Sequence, residues 1–449
     1  MRDYEIQHTK RVQYLVRNPT CQSLDSESDH RFRYKYPDHH ELPHVMKFSG
    51  GQTSGMLLFT LLEAGLLKAE RGDVVIFNNT SAEHPKTYDF ARRCKQIAEE
   101  KYGIPFFWLE YQTYEDARNG EYTRLPSYRL VNVEPRSETN LDGYHWRGEV
   151  YEELLSWNGF VPTIFQRTCT QSLKLETTRA FLKEWFANKP QTERLGHFGK
   201  SSRLEDDDLY ERHLRNGGGV PREIFLEKKQ FARERPIYRP AQFYADFSSP
   251  AREFNSSYLD ENVFGESVVF GEDGVEYLSF VGLRADEPHR VARVRQRNSG
   301  GPESASYGGE HAYMPLFDMD VTREDVENFW KKQNWNLELD PKDGLSNCTY
   351  CFLKGLKVLQ NAHNALGAVV VEELRNTPCD LNWWVNLERK YGRDMKAENR
   401  RIKREIPNDF IGFFGAKSAF SYQHLAKASS KNDSLAEFSD SILPCDCTD

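Results

Sequence analysis

Two groups of residues in this chain have types and spacings suited to chemistry. The first is Phe48-Ser49-Gly50-Gly51-Gln52-Thr53-Ser54. Paired glycines between a serine and a run of hydroxyl residues suit neither a core strand nor a helix interior. Between a strand and a helix, they let the backbone approach a ligand closely, and the helix N-terminus favours an anion there. Ser49, Thr53 and Ser54 add hydroxyl donors, so the turn has the form of a phosphate or pyrophosphate cradle. It is neither GxxxxGK[ST] nor GxGxxG. An ordinary strand–helix turn with serine caps stays open as the alternative.

The second group is drawn from eight cysteines. Cys348 and Cys351 form a C-x-x-C, which suits a redox pair, half a zinc site or part of an iron–sulfur site. No second C-x-x-C exists, so a standard zinc ribbon is excluded. Cys445 and Cys447 lie in the last five residues, and Cys169 stands in RTCTQSLKLE with Lys174 following it. Cys94 reads as a buried helix residue, and Cys21 and Cys379 belong to no motif. Arg284, Asp286, Glu287 and Arg290 place mixed charge on one loop. Arginine forks suit phosphate or sulfate oxyanions, and a surface salt-bridge cluster is the alternative.

The elements that must position these residues alternate. HVMKFSG reads as a strand and TSGMLLFTLLEAG as a helix stopping at Gly65. DVVIFNNT reads as a buried strand, KTYDFARRCKQIAEEKYG as an amphipathic helix ending at Gly103, and PFFWLEYQ as a third strand. Short joints between them predict a parallel sheet with crossover helices, a Rossmann-like α/β fold. Residues 120–160 read as long loops with one helix, and RTCTQSLKLETTRAFLKEWF as a loop entering a helix. EYLSFVGLRADEPHRV returns to strand and loop, and Thr322 with Asp325 suggests a capping box. The division expected is an extension over 1–43, a nucleotide-binding core over 44–186, an insertion over 187–275, completion of the core over 276–340 and a mainly helical cysteine-bearing region over 341–449.

Bulk properties narrow the class. The formal net charge is −8, so the chain as a whole is not a generic polyanion binder, though a local basic patch is still allowed. Mean hydropathy is −0.74 and apolar runs are short, so no membrane span is expected. MRDYEIQHTKRVQYLV lacks an apolar secretion segment. A cytoplasmic protein with reduced cysteines is therefore expected rather than a disulfide framework.

The quoted motifs carry a resemblance. FSGGQTSG resembles the SGGxDS signature of the PP-loop (adenine nucleotide alpha hydrolase) superfamily, in the SGGxTS form of a PAPS-reductase-like branch of phages and mobile elements. FNNTSAEHPKTYDF, RTCTQSLKLE, VGLRADEPHR and the terminal CDCTD resemble further motifs of that branch, in the same order. The resemblance covers about 44–180 and 276–449, leaving the insertion unmatched. It implies that Phe48 to Ser54 grip the phosphates of ATP, or the equivalent anion of PAPS. It implies that Asn79, Thr80 and Glu83 adjoin the adenosine, although Ser81 stands where glycine is usual. Lys174, Arg284 and Asp286 are implied as catalytic groups, with Arg290 near the phosphate. Thr53 replaces the signature's aspartate, which weakens the expected Mg²⁺ site. Cys169, Cys348, Cys351 and either Cys445 or Cys447 are implied to hold a [4Fe–4S] cluster, with zinc as the alternative.

The activity implied is cleavage of ATP to AMP and pyrophosphate, activating an acceptor for sulfur transfer, by analogy with the sulfur-insertion enzyme of DNA phosphorothioation. A sulfur donor such as a cysteine desulfurase would be a partner. A nucleic-acid acceptor and an oligomeric state are left open. Two alternatives stand beside it: PAPS or APS reduction releasing sulfite, and a non-catalytic nucleotide-binding component of a defence or mobile-element system.

Overall fold

The run His44–Phe48 (β1) is apolar on both faces and buried, as a central parallel strand requires. It leads through Ser49–Gly51 into α1 (Gln52–Glu63), in which every residue from Thr53 to Leu62 is buried. The computed structural model describes residues 32–116, 123–164, 166–187, 210, 214, 221–224, 275–299, 309–367, 370–392, 412–415 and 420–431. Cys21, Cys445, Cys447, residues 1–31 and most of the 187–275 insertion lie outside the described residues.

After α1 come β2 (Val74–Asn79), α2 (Pro85–Tyr102) and β3 (Phe106–Asp116). Gly103 ends α2 in the left-handed conformation, at φ +66. β4 (Thr123–Pro135) and the short β5 (Gly143–Tyr144) follow, then α3 (Glu149–Asn158). Next is a helical stretch in three parts: a Thr168–Thr170 turn, a π-helical segment Gln171–Glu176, and α4 (Thr177–Ala187). β6 (Tyr277–Val281), α5 (Pro288–Ser299), β7 (Glu310–Tyr313) and α6 (Arg323–Lys331) complete the core. Beyond it lie α7 (Leu356–Leu366), α8 (Leu381–Tyr391) and α9 (Tyr422–Lys431).

The seven strands form one sheet in the order β5-β4-β3-β2-β1-β6-β7. The β3-β2-β1-β6-β7 ladders are all parallel, with Val45 opposite Val74 on one side and Ser279 on the other. Strand alternation sorts the core into two faces. Met46, Phe48, Val75, Phe77 and Trp108 pack with α1 and α2, whereas Val45, Ile76 and Phe107 pack with Phe181 and Trp185 of α4. This α/β architecture is the one expected.

One stretch differs from the sequence reading. Residues 123–135, read as loop, form β4, antiparallel to β3 from Asp116–Thr123 to Trp108–Val131. Pro126 inside the run argues against a strand, yet it lies opposite Thr113 in a strand whose other neighbour is only two residues long. A proline is tolerated there because little pairing is lost. Part of the expected N-terminal extension also joins the core: the Phe32 ring packs edge-on against Phe280 and tilted against Tyr313. The expected capping box on α6 is present, with Thr322 and Asp325 satisfying each other's backbone N–H groups.

The C-terminal helices are tied to the core by one buried carboxylate. Glu388 on α8 accepts the backbone N–H of Phe413 at 3.2 Å and of Tyr422 at 2.9 Å. Gly412 admits this approach, since a Cβ there would stand 2.0 Å from the carboxylate oxygen. The Tyr422 hydroxyl in turn donates to the carbonyl of Tyr350, between Cys348 and Cys351. Burial pushes the Glu388 carboxyl up to about 7, against the pull of the two N–H donors. A raised carboxyl pKa stabilises the folded chain fully below the ordinary value of 4.5, and that stability is lost as pH rises to about 7. The stability difference between wild type and Glu388→Gln should therefore shift by roughly 2–3 kcal/mol between pH 5 and pH 8, with wild type losing ground at pH 8. Urea unfolding of both proteins at the two pH values measures it, and a difference independent of pH would contradict the assignment.

Candidate functional site

In an open parallel sheet, ligands bind outside the carboxyl ends of the strands where the strand order reverses. Here β1, β2 and β3 run one way from the centre and β6 and β7 the other, so the reversal lies between β1 and β6. The Ser49–Gly51 turn leaves β1 at that point. Gly50 takes φ +80, and a Cβ on it would fall 2.6 Å from Thr87 Cγ2 and 3.2 Å from Phe77. Only glycine suits both demands. Gly51 caps α1, and the N–H groups of the first turn have no acceptor within the helix. The turn is braced by Ser54, whose hydroxyl receives Ser49 N–H at 3.2 Å and Ser49 Oγ at 3.0 Å and donates to Gly51 O at 2.9 Å.

The loop after β6 faces this turn. Arg284 is buried, donating from Nη1 to Thr53 Oγ1 at 2.9 Å and from Nε to Asp286 at 3.0 Å. Glu287 receives Arg284 N–H at 3.0 Å and pairs with Arg290. Arg284, Asp286, Glu287 and Thr53 thus converge as one polar unit, while Arg290 reaches it only through Glu287. Next to the turn is a shallow cleft lined by Gln52, Thr53, Arg284, Arg323 and Ser346 among others. The Trp330 indole N–H fixes α6 against the head of α1, donating to Gln52 O at 2.8 Å.

The thiols assemble at the carboxyl end of β2. Cys348 pairs with Glu83 as an isolated antiparallel bridge, and Thr349 N–H donates to Ala82 O at 2.9 Å. Thr80 Oγ1 donates to Glu83 at 2.7 Å and lies 3.4 Å from Cys348 Sγ. Lys174 comes from the π-helical segment, a distortion common where a side chain must be re-aimed. Burial pushes its ammonium down, but Cys348, Glu83, Cys169 and Cys351 outweigh that and hold it above the ordinary lysine value. Burial and Glu83 push Cys348 up to about 11, with Lys174 and Thr80 opposing. Cys169 is raised mainly by burial, partly offset by Lys174 and by a hydrogen bond with Tyr151. Burial also raises Glu83, against Lys174, Thr80 and Tyr88. Cys169, Cys348 and Cys351 therefore all lie within electrostatic reach of one ammonium, and the Cys169 and Cys348 thiols are held above the ordinary thiol value.

Two supports of this site carry no sequence signature. Lys354, buried under the C-x-x-C loop, places its ammonium within 3.1 Å of the carbonyls of Gly344, Ser346, Cys348 and Thr349. Beside β2, Glu110 receives His145 N–H at 2.7 Å and its Nδ1 at 2.6 Å, and Asn79 Nδ2 at 2.7 Å. Burial pushes Glu110 up, but His145 and Arg129 outweigh it and hold the carboxyl below its usual range. Asn79 also accepts from Ser81 N–H at 2.7 Å and Tyr88 OH at 3.2 Å. The side chains of Asn79 and Glu83 thus face into the protein, and both are buried.

Among the described residues, no three His, Cys, Asp or Glu side chains stand at metal-binding spacing. Cys169, Cys348 and Cys351, expected as metal ligands, are therefore not at ligand spacing to one another. Cys94 is buried within α2, whereas the buried Cys379 abuts the C-x-x-C loop, with its Sγ 3.6 Å from Thr349 Oγ1. No helix among the described residues is long and apolar enough to cross a membrane. No protein-family profile, curated protein or solved structure matches the chain.

The charges of Lys174 and Glu83 attract each other across the thiol site, and removing one leaves the other less compensated. Lys174→Met and Glu83→Gln should each destabilise the protein by about 1–3 kcal/mol. The double variant should fall short of their sum by at least about 1 kcal/mol. Urea unfolding of all four proteins tests this, and simple additivity would show that the two groups do not interact.

Proposed function

We propose that this chain is a PP-loop enzyme of the PAPS-reductase-like type. It binds ATP, releases pyrophosphate and leaves an AMP-activated acceptor ready for sulfur transfer. The observation that carries the reading is the meeting of the Ser49–Ser54 turn with Arg284 at the strand-order reversal. Backbone N–H groups at a helix head and a buried guanidinium are what a polyphosphate requires. Thr53 stands where the resembling signature has aspartate. As a neutral acceptor it orients Arg284 without adding a third carboxylate to the Asp286 and Glu287 already beside it.

The acceptor oxygen attacks the α-phosphorus, the bond to the pyrophosphate oxygen breaks, and the turn and Arg284 take up the negative charge released. Sulfur then displaces AMP from the acceptor. Asp286, already on Arg284, is the nearest carboxylate able to share a Mg²⁺ with the nucleotide phosphates.

The thiol site supports the sulfur half of the reading. Its all-sulfur donors suit an iron–sulfur cluster. A thiolate-bound cluster is anionic, and the Lys174 ammonium would offset that charge. Cys169, Cys348 and Cys351, with Cys445 or Cys447 from the terminus, would hold it. When bound, it would carry or deliver sulfur. Apart from that, Lys354 fixes the loop bearing Cys348, and Tyr151 orients Cys169.

Two results are expected. Incubated with ATP and Mg²⁺, the protein should release pyrophosphate once acceptor is supplied, and AMP once a sulfur donor is added as well. ATP should bind without acceptor, and both Gly51→Ala and Arg284→Ala should lower that affinity by at least about tenfold. Unchanged ATP affinity in both variants would remove the basis of the reading. Purified without oxygen, the protein should be brown and carry about four irons per chain. A colourless protein holding zinc would make the cysteines a structural site.

A further inference from the structure

The cleft beside the Ser49–Ser54 turn is built for more than phosphate. Its floor is apolar, formed by Val326, Leu337, Leu339 and Pro341. A polyphosphate makes no use of such a surface, whereas an organic molecule buries against it. The rim bears Arg284 and Arg323 together with Glu327 and Asp340.

The carboxylates are already committed. Glu327 receives Arg323 Nε at 3.2 Å, and Asp340 caps the N–H of Lys342 at 2.9 Å. Among the described residues, the Nη atoms of Arg323 make no hydrogen bond, so its planar fork is left for an oxyanion. Arg284 and the head of α1 add positive potential from the opposite wall. The cleft also reaches Ser346, two residues before Cys348, on the loop that Lys354 holds.

We propose that this cleft binds the second substrate, a small organic oxyanion, carboxylate or phosphate, carried on an apolar body. Arg323 grips the oxyanion and Leu337 and Leu339 hold the body. As the acceptor's site, this rests on the nucleotide reading above. As an oxyanion site, it stands on its own lining.

The test uses the full chain and two fluorinated probes, 4-fluorobenzoate and 4-fluorophenyl phosphate, followed by ¹⁹F line broadening, with ATP affinity measured in parallel. At least one probe should bind the wild type, and the preferred one identifies the acceptor's oxyanion. Arg323→Ala should weaken that probe by about tenfold, and Leu339→Trp should do the same by filling the floor. Both should leave ATP affinity within about twofold. If Leu339→Trp fails to fold, Arg323→Ala decides alone. Binding of ATP but of neither probe would overturn the cleft assignment and leave the nucleotide reading standing. Probe binding unaffected by Arg323→Ala would also overturn it. Probe binding without ATP binding would keep the oxyanion site and remove the nucleotide reading.

Discussion

The whole site depends on β1 and β6 being neighbours while the chain departs from them in opposite directions across the sheet. Two strand ends at that point cannot cover each other, so their loops stand apart and leave a crevice. Gly50 lets the β1 loop turn tightly under Thr87 and Phe77. Arg284 spans the gap from the β6 loop and is held on Thr53 and Asp286. A buried guanidinium committed on two sides is a fixed positive charge, and a fixed charge costs no reorganisation when an anion arrives.

The second half of the molecule is organised around buried charge as well. Lys174 among three thiols and Glu83 is tolerable in the interior only because its partners surround it. Lys354 gathers four loop carbonyls. One ammonium sets the electrostatics of the sulfurs and the other sets the shape of the loop that carries two of them. Glu388 and Tyr422 extend that control to the C-terminal helices.

Local pattern made much of this legible. Apolar periodicity and terminal glycines located β1, α1, β2, α2 and β3, because each element's burial is written into its own residues. The FSGGQTSG turn could be singled out from residue types and the VGLRADE loop only through its resemblance to a family motif, and the structure brings Thr53 and Arg284 together. Cys169, Cys348 and Cys351 all act on the Lys174 ammonium, but among the described residues they do not stand at metal-binding spacing, and Cys445 and Cys447 lie outside those residues. What could not be read depends on partners distant in sequence. β4 is a strand because β3 pairs with it, despite Pro126. Glu110 and His145 are ordinary residues until the sheet and the following loop place them 2.6 Å apart. Arg323 carries no motif, since its place at the cleft follows from Trp330 docking on Gln52. The inward turn of Asn79 and Glu83 likewise depends on Tyr88 and Lys174.

The central claim is that main-chain N–H groups at the head of α1, together with Arg284, hold the polyphosphate of an adenine nucleotide. A crystal structure with a non-hydrolysable ATP analogue tests it most directly. The account predicts β- and γ-phosphate oxygens within hydrogen-bonding distance of the Gly51–Ser54 amides and the Arg284 guanidinium. An analogue bound elsewhere in the molecule, with this turn left empty, would contradict it.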